Sequence, residues 1–589
     1  MAGRPEIRIH QLGLPDDIVA IARLHRDLPS KAREQVEAAS AACQAVVEAL
    51  QTRIDNLEIQ KDSPNRIPLQ DDLAAAQERL NACQSLLSVK RRVPVETMTE
   101  IFQHYLDDDL DDGRSFWPHK RTATTLCLVC QYWNTVAIAT PSLWANISIK
   151  TEEQLSDDPP LVKSSHVGGF LHWMQRVGSH PWSLYLRGTY PGSGPANPGP
   201  VTLAQLLQGP EALHLQRLTF DMGRSRLCLG GLTFPELTSI VIAQPGVCGP
   251  GFIEYHALPA LPALRHAVFY SLVHPNTIPM NIPWSQLTHL YLGRIDNRQW
   301  KAIMKLCKSL QRGAFEIECE REGEPQFPQS EEQVTLRDLK ELTFSSDSPF
   351  GRDVQMDGLS FPALEKIRIV SSYNDLHWEF ANAHALFGAL TQLTILLSAW
   401  VTGDDIVSIL NTLPQLQELY INISEKYKPL LEYLTYGRKI EGMGAERFRM
   451  RHLKALGLSF DRQLYETTLG SPIRLGPFPY TRVADMVASR TVEVRRGHYD
   501  STVVTLQELE ALVLFVAKQT PTSRLEKGLK DAVKPYVRQS GLRAVVYGEE
   551  FPRVYDPIEV HKWNHWDEGF LNTVEADEYS LYPKSYPLL

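Results

Sequence analysis

At 589 residues the chain is long enough for two or more domains with a sizeable core. Apolar residues make up 43% and charged residues 22%, as in ordinary globular proteins, and a net charge of −9 argues against a nucleic-acid surface. No apolar stretch suits a signal peptide or a membrane span, and the 8 cysteines are sparse and irregularly spaced. We therefore expect reduced thiols and a cytoplasmic or nuclear location, with no membrane and no nucleic acid as partners.

Two helices with apolar seams are predicted in residues 31–90, after an N-terminal segment (1–30) that has no clear periodicity. The first repeats apolar residues every seven positions, at Val36, Cys43, Leu50 and Leu57. The second follows a proline-containing break at 62–68, and its apolar stripe is Leu73, Ala76, Leu80, Cys83 and Leu87. The break favours an intramolecular hairpin. Self-association through 31–90 as a coiled coil is the alternative.

A small helical domain is predicted over residues 91–150. Its first helix starts at Pro94, and the acidic run at 107–113 is interpreted as a solvated linker that ends the helix. The face predicted to be apolar comprises Val95, Met98, Ile101, Phe102 and Tyr105.

One continuous second helix is predicted after this linker, with Leu126, Val129, Trp133 and Val136 on one stripe. We interpret Cys127 and Cys130 as core cysteines rather than a zinc or redox site, because no second cysteine pair follows. Trp133 is expected to be a buried aromatic whose replacement by alanine costs about 3–5 kcal/mol.

Residues 151–210 are predicted to be a connector that is rich in proline and glycine. Trp173 and Trp182, with the neighbouring His172 and His180, are interpreted as packing residues within it.

A repeat with the template L-x-x-L-x-x-L-x-L is predicted to form a solenoid over residues 211–520. Its L-x-L ending alternates as a strand does, and helical segments such as 297–310 lie between copies. Successive copies up to residue 416 are 22 to 29 residues apart, the period of leucine-rich repeats. The second template position falls at Leu215, Leu237, Leu264, Leu287, about Arg312, Leu339, Leu364, Leu393, Leu416, Leu453 and Leu509.

Wider spacings after residue 416 predict inserted loops at 441–446 and 467–480, and a charged exposed segment at 490–500. Residues 521–589 are expected to form a helical cap or tail for the end of the solenoid. Since neighbouring copies must stack to bury their apolar edges, the predicted fold is α/β, a helical region followed by an irregular solenoid.

The stretch from Val93 to Ile147 resembles the F-box domain, in the form found in mushroom-type fungal F-box proteins with leucine-rich tails. The similarity lies in Val93-Pro94-Val95-Glu96, Ile101-Phe102, Leu126, Val129-Cys130, Trp133 and Pro141-Ser142-Leu143-Trp144. The resemblance implies a three-helix module that docks a Skp-type adaptor of a cullin complex. It also implies that the repeats select an as yet unknown protein for ubiquitination.

By position in the family motif, the adaptor-binding residues implied are Pro94, Ile101, Val129, Cys130 and Trp133. The sequence departs from the family at Val93, where leucine is usual, and at Thr97-Met98, where a branched apolar pair is usual. A scaffold with a divergent F-box and no ligase role is therefore the second hypothesis. A nucleic-acid-binding repeat protein is a third, disfavoured by the acidic charge.

No phosphate-binding loop, zinc-protease motif or nucleophile elbow occurs in the sequence, so we expect no enzyme, catalytic residue, cofactor or metal. His561 and His565 could share a helical face, but their spacing places no third ligand, and local packing is the favoured interpretation. The recognition surface is expected on the strand face of the solenoid or in its insertions near 425–500.

Overall fold

In a computed structural model of the chain, the residues divide into two units. One comprises Met1–Asn146 with Leu171–His180, and the other Ile147–Phe170 with Pro181–Leu589. The structure describes residues 29–58, 66–87, 93–111, 123–152, 161–162, 164–189, 201–221, 229, 231–243, 259–269, 282–317, 333–346, 358–371, 389–397, 403–423, 428–435, 450–460, 480–491, 509–516, 528, 531–536 and 542–547. The protein is thus mixed helix and sheet, with an N-terminal helical region followed by a solenoid-like array of parallel strands.

The first two helices, α1 (Ser30–Glu58) and α2 (Arg66–Leu87), pack against each other. Val36 and Ile54 of α1 and Leu80 and Cys83 of α2 are buried, as the predicted seams require. Helix α2 begins before the predicted break ends. Pro68 therefore lies in its first turn, where proline removes no intrahelical hydrogen bond.

Helix α3 (Val95–Asp111) continues through most of the acidic run, so the prediction that this run ends the helix was wrong by one turn. Only Met98 and Phe102 of its predicted apolar face are buried, whereas Val95 and Ile101 are about half exposed.

The second predicted helix is interrupted. It consists of α4 (Ala123–Cys127) and α5 (Gln131–Ile138), followed by a 3-10 turn at Pro141–Trp144. Cys130 has an extended backbone and caps α5, since its thiol accepts from the Trp133 amide at 3.5 Å. The Asn134 side chain donates to the Cys127 carbonyl at 3.2 Å, which satisfies the end of α4. The prediction of one continuous helix was therefore wrong, because both ends at the break have their own caps.

The predicted connector, 151–210, is instead part of the sheet. It contains the last two residues of β1 (Asn146–Glu152), then β2 (Leu161–Val162), α6 (Ser164–Val177), β3 (Trp182–Thr189), β4 (Val201–Thr202) and a short α7 (Leu203–Leu206). Trp182, Leu184 and Leu186 of β3 are buried, and β3 pairs in parallel with the next strand of the array. The alternating apolar residues in 182–186 were a sequence signal for this strand. The strand was missed because it lacks the leucine that precedes the strand in the other copies of the repeat.

The array continues from β3 in chain order, each strand hydrogen-bonded in parallel to the next. Its members are β5 (Leu215–Asp221), β6 (Ser239–Ala243), β7 (His266–Phe269), β8 (His289–Ile295), β9 (Arg312–Ile317), β11 (Glu341–Ser346), β13 (Lys366–Ser371), β14 (Gln392–Leu397), β15 (Glu418–Ile423), β16 (Ala455–Phe460), β17 (Ala511–Val516) and β18 (Arg543–Tyr547). Two short strands, β10 (Val334–Thr335) and β12 (Leu359–Ser360), pair separately. Every predicted repeat copy ends on one of these strands. Strand β18 lies within the predicted helical cap, whose residues 548–589 are outside the described part.

One column of side chains forms the spine of this unit, because strand register aligns the last apolar residue of each copy. These residues are at most 3% exposed: Leu186, Phe220, Ile242, Phe269, Leu292, Phe315, Phe344, Ile369, Ile395, Ile421, Leu458 and Leu514. No single repeat could bury its own member of the column, so the repeats stabilise one another.

Register corrects two of the predicted copies. Gly313 is aligned with Leu290 and Leu342, the third template residues of the neighbouring copies, so the second template position is the buried Leu310 and not Arg312 as predicted. A Cβ on Gly313 would lie 2.7 Å from the Phe315 ring, so the phenyl group fills the place of the leucine. In the copy that ends on β14, Leu393 is aligned with Ile367, the third template residue of the preceding copy. The second template position is therefore Leu390 and not Leu393 as predicted.

Threonine residues link the entrances of successive strands. The Thr238, Thr288 and Thr391 amides each donate to a carbonyl of the preceding repeat at 2.8–2.9 Å, and their hydroxyls donate to the same repeat at 3.2–3.3 Å. These bonds satisfy backbone groups at the turn where each strand begins.

Helices α8 (Asn297–Leu306), α9 (Gly403–Asn411), α10 (Lys428–Leu434) and α11 (Tyr480–Thr491) lie between strands. Arg490, at the start of the segment predicted to be exposed, is instead only 3% exposed. Its guanidinium donates to the Leu434 carbonyl at 2.6 Å and the Met450 carbonyl at 3.3 Å. A buried arginine thus ties α10, α11 and the entrance to β16 together where the repeat spacing is widest.

Among the described residues, no helix is both long enough and apolar enough to cross a bilayer.

Candidate functional site

The helical unit closes its core around two aromatic contacts. Phe102 is fully buried, and the half-buried Trp133 meets it edge to face at a ring-centroid distance of 4.9 Å. Trp133 is therefore a boundary residue, and the prediction that it is a buried core aromatic was wrong.

Trp144 is the central aromatic residue of this unit and is completely buried. Its indole N–H donates to the Ala137 carbonyl at 2.7 Å, and Trp173 packs edge to face on its ring at 4.8 Å. The Arg176 guanidinium lies 4.0 Å from the ring centroid, within range of a cation–π interaction. The Trp173 indole in turn donates to the Trp144 carbonyl at 2.7 Å. Trp173 was thus correctly predicted to be a packing residue, whereas His172 and His180 are exposed.

Polar bonds hold the start of α3 against α5 and the 3-10 turn. The Tyr132 hydroxyl donates to the Val93 carbonyl at 3.0 Å, and the Gln103 amide donates to the Ser142 hydroxyl at 2.9 Å. Together with the aromatic contacts, they close the core without using the remaining apolar residues of α3 and the α4–α5 break.

The residues implied as adaptor-binding occupy different environments. Pro94 is exposed at the start of α3, where its carbonyl accepts the first helical bond from the Met98 amide at 2.9 Å. Ile101 is 46% exposed and Val129 is 48% exposed. Cys130 and Trp133 are half-buried, the thiol as a helix cap and the indole against Phe102. Cys127 is also half-buried, so neither cysteine of the pair is a core residue as predicted.

Five large apolar side chains of this module are exposed, and we call them the exposed apolar set. They are Val95, Ile101, Leu128, Val129 and Ile138, exposed by 41% to 78%. Val95 and Ile101 come from α3, Leu128 and Val129 from the α4–α5 break, and Ile138 from the end of α5. Apolar side chains that are exposed together as one patch are typical of a protein-binding surface, which makes this set the candidate surface of the module.

Leu128, the most exposed member at 78%, was not among the residues implied by the family motif. The break explains its exposure. The Leu128 and Val129 amides bond to the Thr125 and Leu126 carbonyls at 3.2 Å, in a tight turn that takes both side chains out of the helical stripe. The capping cysteine at position 130 was the only sequence signal for this turn.

The solenoid unit has a second candidate surface, the sheet face opposite the leucine column. At the start of adjacent strands, Glu341 contacts Arg312 at 3.4 Å and Lys366 at 3.3 Å. Two strands further on, burial raises the pKa of Glu418, while Lys366 and Lys454 act in the opposite direction. This row therefore carries alternating charges that are largely compensated among themselves.

Two histidines continue the same row. The His266 and His289 rings meet edge to face at 4.6 Å. Burial, His266 and then Arg312 lower the pKa of His289 from 6.5 to about 3, so it is neutral at physiological pH. Its Nδ1 lies 2.9 Å from the Thr288 hydroxyl.

Over the described ranges, no group of three or more His, Cys, Asp or Glu side chains is arranged to hold a metal ion. The pair His561 and His565 lies outside the described residues.

No family model matches the chain, and no curated protein is significantly similar to it. The chemistry of the exposed surfaces therefore carries the functional argument.

Proposed function

We propose that the chain is an adaptor-linked recognition protein, with a helical docking module and a repeat array that presents a binding surface. More specifically, we propose that it is the substrate-recognition subunit of an SCF-type cullin–RING ubiquitin ligase, in the cytoplasm or nucleus. The module would act as an F-box that docks a Skp-type adaptor, and the array, as an irregular leucine-rich-repeat domain, would bind the protein to be ubiquitinated.

The observation that carries this proposal is the exposed apolar set. The resemblance to the F-box implies Ile101 and Val129 as adaptor-binding residues, and both side chains are about half exposed. A contiguous exposed apolar patch marks a protein-interaction site, and a partner that covered these side chains would remove their apolar area from water. An adaptor interface centred on a few apolar anchors fits this arrangement.

The array supports the second half of the proposal. Its parallel strands place one row of charged and histidine side chains along the face opposite the leucine column. Repeat arrays bind partners along such extended faces. We propose that the target protein contacts this face.

One observation favours the alternative, a scaffold without a ligase role. Thr97 is exposed at a position where the family motif has an apolar residue, so the docking surface contains less apolar area there. The two functions differ in a single measurable property, which is the affinity for the adaptor.

The test is a titration of the full-length chain with a purified Skp-type adaptor, followed by calorimetry. The expected result is a one-to-one complex with a Kd in the micromolar range or tighter, about −8 kcal/mol. The absence of heat or a complex at adaptor concentrations of about 100 µM would leave the scaffold as the better description.

A further inference from the structure

The N-terminal hairpin brings two cysteines together across its helix–helix seam. Cys43 lies on the heptad seam of α1, and Cys83 lies on the apolar stripe of α2. Ala39 packs against the buried cluster that contains Cys83, and Cys43 follows Ala39 by one turn on the same face of α1, so the two thiols face each other across the seam. Cys83 packs in one buried cluster with Val36 and Leu86, which fixes its position.

The two thiols differ in access to solvent. Cys43 is partly exposed, whereas Cys83 has no exposed surface. Burial, followed by the Cys43 neighbour, raises the pKa of Cys83 to about 11. A reagent in solution therefore reaches Cys43 first, and Cys83 reacts only with a sulfur already bound at Cys43.

We propose that Cys43 and Cys83 form a redox-sensitive modification site, at which a low-molecular-weight disulfide such as glutathione disulfide produces an intramolecular Cys43–Cys83 bond. This inference is independent of the proposed ligase function.

The reaction proceeds in two exchange steps. The Cys43 thiolate attacks one sulfur of glutathione disulfide, the reagent's S–S bond breaks, and one glutathione thiolate leaves. Cys83 then gives up its proton and attacks the Cys43 sulfur, the mixed disulfide breaks, and the second glutathione thiolate leaves. The two cysteines lose two electrons in total, and one glutathione disulfide becomes two glutathione molecules.

The bond would lock the hairpin. With α1 and α2 covalently joined, the hairpin could not open to exchange helices between two copies of the chain. Reduction would restore that freedom. The site therefore controls whether residues 31–90 stay intramolecular or are available for self-association.

The experiment treats the folded full-length chain with glutathione disulfide, blocks free thiols, and maps tryptic peptides without reduction. Trypsin separates the two cysteines into peptides 34–53 and 80–90. The expected product is these two peptides joined, with the loss of two hydrogen atoms. In Cys83→Ala we expect glutathione to remain on Cys43, and in Cys43→Ser we expect modification of Cys83 to fall at least tenfold.

Two controls make the result decisive. Cys307 is buried and its pKa is raised by burial, so it should stay a free thiol throughout. Mixing chains of normal and heavy nitrogen isotope distinguishes bonds within one chain from bonds between copies. The proposal is overturned if wild-type Cys43 keeps glutathione with no joined peptide, or if the joined peptides mix light and heavy chains.

Discussion

The two units of the protein use apolar residues in opposite ways. In the strand array, apolar residues align in columns that neighbouring repeats cover, and the last residue of each copy is at most 3% exposed. In the helical unit, five large apolar side chains of one small module remain 41% to 78% exposed after the core is closed. Among the described residues, Leu213 is the only large apolar side chain of the array unit that is comparably exposed.

This difference in exposure follows from what covers the apolar surface of each unit. A repeat is covered by another repeat of the same chain, so its apolar surface is satisfied internally. The helical unit has Trp144 and Phe102 as internal anchors and still exposes Ile101, Leu128 and Val129. In the proposed function, the strand array would supply a stable, polar recognition face, and the helical unit would dock through its exposed apolar side chains.

The largest expected effect comes from removing the anchor of the helical unit. Trp144→Ala should lower the free energy of unfolding of that unit by about 3–5 kcal/mol, since a fully buried indole and its hydrogen bond are lost. Hydrogen exchange of residues 95–146 in the full-length chain measures this. Trp133→Ala should cost less, about 1–2 kcal/mol, because its ring is half-exposed. Equal losses for the two variants would contradict the assignment of Trp144 as the anchor.

A comparable experiment in the array concerns Arg490. Arg490→Ala should destabilise the region of widest repeat spacing by about 2–3 kcal/mol, because the Leu434 and Met450 carbonyls lose a charged donor. Faster hydrogen exchange in β16 and β17 is the readout. Arg482, in a partly exposed ion pair with Glu432, is the matched control, and its alanine variant should cost less than about 1 kcal/mol. Indistinguishable exchange in the two variants would refute a structural role for Arg490.

A smaller effect concerns pH. The pKa of His289 is lowered in the folded state, so the unfolded chain binds this proton more readily. Stability should therefore be lost as pH falls below 6.5 towards about 3. Between pH 7 and pH 4, the free energy of unfolding of His289→Asn should therefore fall by about 1–3 kcal/mol less than that of the wild type. Urea titrations of both proteins at the two pH values measure this difference. If the two proteins lose the same stability between these pH values, His289 is not held neutral by its surroundings.

Sequence reasoning succeeded where one pattern repeats many times. The leucine template located the array strands from β5 to β17, though not the separate pair β10 and β12, because each copy repeats the same strand signal. It failed for β3 and β18, which lack the leading leucines, and at Gly313, where a neighbouring phenylalanine fills the leucine position. Phe315 lies on the same strand as Gly313, but only the register with the two neighbouring strands shows which template position each residue occupies.

The helical unit was harder to predict, because a break in the second predicted helix changes which side chains share a face. Helical periodicity placed Val129 and Trp133 on one stripe, but the cap at Cys130 breaks that stripe and separates their environments. The family motif nevertheless identified Ile101 and Val129, both of them exposed, and it missed Leu128. Burial of Arg490 in a segment rich in charges could not be read from composition either, because its partners are two backbone carbonyls from other repeats.

The smallest expected effect on stability accompanies the largest on binding. Val129→Asp replaces a half-exposed side chain and should change the free energy of unfolding by less than about 0.5 kcal/mol. A charge in the centre of an apolar interface should nevertheless weaken adaptor binding by about 2 kcal/mol or more, roughly thirtyfold. Val46, on the N-terminal hairpin, is the matched control because it is also a valine and is 50% exposed.

The most direct test of the docking role is therefore the adaptor affinity of three full-length proteins: wild type, Val129→Asp and Val46→Asp. We expect wild type and Val46→Asp to bind equally, and Val129→Asp to bind at least about thirtyfold more weakly at unchanged thermal stability. Equal affinities for Val129→Asp and wild type would contradict the assignment of the exposed apolar set as the docking surface.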